Sequence, residues 1–191
     1  MSLRRNILEV ILSNPRTVFN VQSLRMLTEC EDSQKLTKSL NYYVQKGKIR
    51  NPRRGIYTKV TYDEKEMACS LFRPSYISLE YVLQRSGIVF QYDDMVTCVS
   101  YLNRFVEIDD KTYKFRIINP EIWINMEGIE REDNILIASP ERAFLDLIYL
   151  SAGNCYLDNL HPLNKTKVKQ LLQSYRSKIL NERVAELLNF K

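Results

Sequence analysis

Three adjacent acidic pairs, Asp93-Asp94, Asp109-Asp110 and Glu132-Asp133, are the side chains best suited to metal chemistry. Two neighbouring carboxylates supply hard oxygen ligands for Mg²⁺ and so for hydrolysis or phosphoryl transfer. Each pair, however, falls in a stretch that reads as a turn, where aspartate is favoured for local hydrogen bonds and hydration. None has the convergent partners a catalytic site needs. Cys155 and His161 could pair as thiol and base, but His161 is the sole histidine and a packed thiol is the ordinary state of an isolated cysteine. The chain has 5 glycines, none arranged as a phosphate-cradling loop. No catalytic residue, metal ligand set or cofactor is expected.

Cations carry the concentrated chemistry. Residues 1–62 hold 12 Lys/Arg against 4 Asp/Glu, whereas 63–191 hold 16 against 19. A polyanion is the natural partner of the first third alone. Within it, "LTKSLNYYVQKGKIRNPRRGIYTK" (36–59) sets Leu36, Leu40, Tyr43 and Val44 on one helical face. The other face carries Gln34, Lys35, Thr37, Lys38 and Asn41, side chains able to bond phosphates or base edges. Gly47 ends this helix, and short strands at Ile49–Asn51 and Ile56–Thr58 flank a basic tip, Arg53-Arg54-Gly55. Gln34, Lys35, Thr37, Lys38 and Asn41 are the expected contacts in the major groove of double-stranded DNA. Arg50, Arg53 and Arg54 are expected on phosphates or in the adjacent minor groove. Tyr42 and Tyr57 are the two aromatics of this region open to suspicion as nucleic-acid contacts.

The elements that must position those residues are legible upstream. Arg4 to Leu12 reads as a first helix ended by Asn14-Pro15, and Thr17 to Phe19 as a short extended piece. Asn20 reads as the N-cap of a second helix through Leu27, and Ser33 as the cap of the third. Three helices with a tight polar turn, followed by a hairpin, form a winged helix-turn-helix.

Residues 63–73 read as a linker or connecting helix, and 74–191 as a mixed α+β domain. The pattern predicts a helix over 75–87, strands at Val96–Ser100, Arg104–Ile108, Thr112–Ile118 and Asn134–Ala138, and a hairpin turn at Asp109-Asp110-Lys111. "SPERAFLDLIYLSAG" (139–153) predicts a helix with Ser139 at the N-cap, Pro140 at N1 and Gly153 beyond its end. Amphipathic helices over Lys165–Tyr175 and Asn181–Leu188 close the chain. The fold class expected is α+β, an N-terminal winged helix-turn-helix followed by a mixed α+β C-terminal domain.

No apolar run of about 18 residues suggests a membrane span. Cys30, Cys69, Cys98 and Cys155 are widely spaced with no CxxC pair, as in reduced cytoplasmic proteins.

"KGKIRNPRRGIYTK", "YISLEYVLQRSGI" and "ILIASPERAFLDLIYL", in that order over roughly Arg4 to Leu150, resemble the AbiEi-type antitoxins of AbiE-like, type IV toxin–antitoxin and abortive-infection operons. The resemblance implies an N-terminal winged helix that represses its own operon by binding operator DNA, and a C-terminal domain that supplies antitoxic activity. It implies an operon-encoded nucleotidyltransferase-like toxin as functional partner, with no stable complex required. It also implies that "Ser139-Pro140-Glu141-Arg142" opens and caps a helix whose Ala143, Leu145, Leu147 and Ile148 pack the core. Monomer and dimer on DNA both remain open. The alternative is an interaction module or stand-alone regulator whose C-terminal half binds a protein partner.

Overall fold

The computed structural model describes residues 6–151 and 155–189, so the expected helix start at Arg4 and the stop at Gly153 lie outside the described residues. The fold is α+β, with helices interleaved among two sheets. The chain divides into two units, Met1–Leu71 and Phe72–Lys191.

In the first unit, α1 (Ile7–Ser13) is capped by Asn6, β1 (Val18–Asn20) follows, and Asn20 ends that strand while capping α2 (Val21–Thr28). Its side-chain oxygen accepts from the Ser23 N–H at 2.7 Å. α3 (Ser33–Gln45) is capped by Asp32, not by Ser33 as expected. The Asp32 carboxylate reaches two orphan N–H groups, those of Gln34 and Lys35 at 2.9 and 3.1 Å, and a carboxylate is further favoured by the positive end of the helix dipole. β2 (Arg50–Arg53) and β3 (Ile56–Thr58) form a hairpin, and β3 pairs antiparallel with both neighbours in the order β1-β3-β2. β2 is thus an edge strand, which tolerates Pro52. Ile7, Ile11, Phe19, Leu24, Leu36, Leu40, Ile49 and Tyr57 make one buried cluster.

α4 (Glu64–Leu71) occupies the segment expected as a linker or connecting helix and lies within this unit. Glu66 holds it to β1. One carboxylate oxygen accepts from the Thr17 N–H and hydroxyl, both at 2.6 Å, and from the Val18 N–H at 3.0 Å.

The second unit is built on a six-stranded mixed sheet in the order β6-β7-β5-β4-β9-β8. Its strands are β4 (Ser75–Ile77), β5 (Val96–Ser100), β6 (Arg104–Ile108), β7 (Lys111–Ile117), β8 (Ile129–Glu132) and β9 (Ile135–Ala138). The helix expected over 75–87 is corrected here. Its first residues form β4, bonded to β5 antiparallel and to β9 parallel, and only Glu80–Arg85 is helical (α5). Burial between two strands, together with the β-branched and aromatic side chains of Tyr76 and Ile77, outweighs the helical spacing. The chain leaves β4 through buried Leu79 at φ +62°, a backbone conformation costing about 1–3 kcal/mol for a residue with a Cβ. The β6–β7 hairpin turns on Asp109 and Asp110, both left-handed at φ 51° and 63°, as a two-residue loop requires.

α6 (Pro120–Ile124) and edge strand β8 have no counterpart in the sequence reading. α7 (Pro140–Ser151) is buried at every position from Glu141 to Ile148 and touches α5, β9, α8 (Lys165–Leu172) and α9 (Lys178–Leu188). Ser139 sits ahead of α7 as expected, its hydroxyl 3.3 Å from the Arg142 N–H.

Arg142 does more than open that helix. Its guanidinium is fully buried, and its five N–H donors all have acceptors. Nε donates to Asp146 at 3.2 Å, one terminal nitrogen to the carbonyls of Asn125 and Glu127, the other to the Tyr76 hydroxyl and the Ile122 carbonyl. Asp146 in turn accepts from the hydroxyls of Tyr175, Ser78 and Tyr76 at 2.6, 2.8 and 3.0 Å. Burial works against the guanidinium's charge, but the Asp146 carboxylate and the two tyrosines more than offset it and hold the pKa above the ordinary arginine value.

Candidate nucleic-acid interface

An α-helix turns 100° per residue, so Gln34, Lys38, Asn41 and Gln45 line one stripe of α3, opposite the buried Leu36 and Leu40. All four are exposed. Lys35, also exposed, lies to one side of the stripe, the same side as Tyr42 two turns on, which is 54% exposed. Lys46 stands 5.8 Å from the Tyr42 ring centre, so a flat aromatic face and a cation share the C-terminal end of the helix.

Thr37 flanks the other side and is half-buried. Its hydroxyl donates to the Ser33 carbonyl at 2.8 Å, leaving an oxygen able to accept but no free proton to give. Asn41 leans toward the hairpin, its side-chain oxygen 3.5 Å from the Tyr57 hydroxyl. With the oxygen turned inward, the amide NH₂ is the group Asn41 presents outward. Tyr57 is corrected by this geometry. At 5% exposure its ring belongs to the core and offers no stacking face.

The hairpin is braced by Asn51, which the sequence marks only as the end of a strand. The Asn51 amide donates to the carbonyls of Arg53 at 2.9 Å and Ile56 at 2.7 Å, tying the turn across its base. Gly55 takes φ +82° at the tip, a conformation that costs glycine nothing. Arg54 is thereby exposed at the apex and Arg53 half-buried beside it. Arg50 is exposed on β2 with its guanidinium 6.0 Å above the Tyr62 ring. The eight expected residues thus fall into two groups on one unit, five on α3 and three on the hairpin, and the Asn41–Tyr57 contact joins the groups.

The electrostatics are directional. Exposed Glu29, Glu31 and Asp32 precede α3, and the Lys35 N–H bond holds the Asp32 carboxyl below the usual carboxylate range. That end of α3 is therefore anionic at neutral pH, while Lys46, Lys48, Arg50 and Arg54 crowd the exit of the helix and the hairpin.

The acidic pairs sit where solvated turns would put them. Asp94 pairs with Lys111, Asp109 and Asp110 form the β6–β7 turn, and Asp133 turns β8 into β9. Among the described residues no group of three or more His, Cys, Asp and Glu side chains is placed to hold a metal, and no helix is long and apolar enough to cross a membrane. No protein-family model matches the chain, and no curated protein matches it.

Proposed function

We propose that the first unit is a winged helix-turn-helix that docks α3 in the major groove of duplex DNA and lays the β2–β3 hairpin on the flanking backbone. The observation that carries this reading is the joining, on one unit, of an exposed Gln34/Lys38/Asn41 stripe to a braced hairpin with Arg54 at its apex. The element order supports it, since a strand between the first two helices pairs with the distal strand of the hairpin. Lys38 matches guanine O6/N7, and the outward Asn41 NH₂ can donate to an acceptor such as adenine N7 or thymine O4. Asp32, acceptor-only, suits a cytosine amino group and repels phosphate, so backbone contact falls to Arg50, Arg53 and Arg54.

The biological reading that follows is a transcriptional repressor of its own operon. The resemblance to AbiEi-type antitoxins extends it to neutralisation of a nucleotidyltransferase-like toxin by the second unit.

Fluorescence anisotropy on DNA from upstream of the gene, against a shuffled duplex across a salt series, tests the proposal. Tight sequence-dependent binding with a steep salt slope is expected. Arg53→Ala/Arg54→Ala should weaken binding to every duplex and flatten the slope by about one unit for each lost phosphate contact. Binding that ignores sequence, or a slope unmoved by the double substitution, refutes it.

A further inference from the structure

The second unit ends on an open sheet edge whose charges are divided along its length. Among the described residues β6 pairs with β7 alone, on one side. The two-residue turn makes Ile108 and Lys111 a hydrogen-bonded pair, and the antiparallel ladder alternates from there. Ile108, Val106 and Arg104 therefore bond to β7, while the N–H and C=O of Phe105 and Glu107 point away from the sheet. Phe105 is 66% exposed, and Arg104 and Glu107 are exposed beside it. Long exposed edges carrying an aromatic residue are normally blunted or covered.

The start of β6 is cationic. A cavity of about 780 Å³ there is lined by Arg104, Lys114 and Arg116 with Phe105, Ile117 and Leu150, and no carboxylate is among the described residues that line it. Arg116 donates to the Leu150 carbonyl at 3.2 Å, and Lys114 lies 3.9 Å from Glu80 and 5.8 Å from the Phe105 ring. The far end of the same strand is acidic, with Glu107 and then Asp109-Asp110 at the turn.

We propose that a second copy of this chain covers this edge, β6 pairing antiparallel with β6 of its twin about a twofold axis at Val106. That register overlaps Arg104 to Ile108 completely and makes Phe105 and Glu107 of the other copy exchange both N–H···O bonds. It sets each copy's Glu107 beside the other's Phe105, within side-chain reach of Lys114. Each Asp109-Asp110 turn falls opposite Asn103, at the mouth of the cationic cavity. Antiparallel pairing of a strand basic at one end and acidic at the other brings unlike charges together twice, a self-complementarity that a twofold interface demands. A nucleic acid would answer the cations but not the strand's free ladder, so a protein edge is the better occupant. The inference does not depend on DNA binding by the first unit.

Sedimentation velocity on the full chain tests it, with circular dichroism as the control for folding. Phe105→Pro removes an outward N–H that bonds nothing in β7, and Asp109→Asn/Asp110→Gly discharges the tip while installing the Asn-Gly pair such turns favour. The wild type should be dimeric at about 10 μM, and either variant should weaken the dimer about tenfold or more with its fold retained. Raised salt should weaken the wild-type dimer as well. A monomer at every concentration, a dimer indifferent to both variants, or an edge found occupied by nucleic acid or a foreign acidic protein overturns it.

Discussion

Replacing Asp146 by asparagine is the sharpest test of what holds the second unit together. The side chain keeps its shape, but the charge facing a fully buried guanidinium disappears, and one of the two oxygens that accept from Arg142, Tyr175, Ser78 and Tyr76 becomes a donor. Removing one member of a buried pair typically costs about 3–5 kcal/mol. The hydroxyls can rotate and the asparagine oxygen still accepts, so the lower end, about 3–4 kcal/mol, is expected. With a urea slope of about 1.5–2 kcal/mol/M the unfolding midpoint falls by about 2 M. The single tryptophan, Trp123 on α6, adjoins Ile122, whose carbonyl receives an Arg142 bond, so its fluorescence reads this unit. Arg142→Met/Asp146→Leu should not recover stability, although many paired removals do. The Ile122 carbonyl and the hydroxyls of Tyr76 and Ser78 would stay buried without their present partners, at about 1–3 kcal/mol each. An Asp146→Asn midpoint within about 1 kcal/mol of wild type, or a double variant more stable than wild type, refutes the reasoning.

Two further outcomes follow from the packing. Glu66→Gln should destabilise the first unit by about 2 kcal/mol, since three donors at Thr17 and Val18 lose a charged acceptor; thermal melts of the full chain check it, and a melt superimposable on wild type refutes it. Gly128→Ala should cost the second unit about 2–4 kcal/mol, because the residue sits at φ +72° and an added Cβ would lie 2.9 Å from Leu171 and 3.0 Å from Arg142; a Trp123 unfolding midpoint equal to wild type refutes it.

What the sequence disclosed was local in origin. α3 and the β6–β7 hairpin were legible because Leu36/Leu40 spacing and the Asp109-Asp110 pair act within a few residues. β4 was not. Its three side chains are all buried, so no alternation marks it, and its ladder partners at Val99 and Ile137 lie far along the chain. β8 escaped because "IERE" at a sheet edge is as polar as a loop. Ser33 and Asp32 compete as caps at adjacent positions, and only the geometry of two N–H groups separates them. Of the candidate interface, the residue types and their face were readable, whereas the inward lean of Asn41 and the Asn51 brace depend on contacts across the hairpin. Arg142 was the largest omission. A charged residue in a helix's first turn ordinarily reads as a cap or a solvated side chain, and the one signal was Asp146 four residues on amid apolar neighbours.

The Arg142 network also sets a timetable for biosynthesis. Its partners come from Tyr76 through Tyr175, so when Arg142 leaves the ribosome the acceptors at Ile122, Asn125 and Glu127 are already outside, and the hydroxyl of Tyr175 has yet to emerge. Until that tyrosine emerges, closing the core would strand part of the Asp146 carboxylate. The nascent second unit should therefore stay open, and accessible to chaperones and proteases, for almost all of its translation. A premature stop before Tyr175 should yield a degraded second unit rather than a shortened, working one.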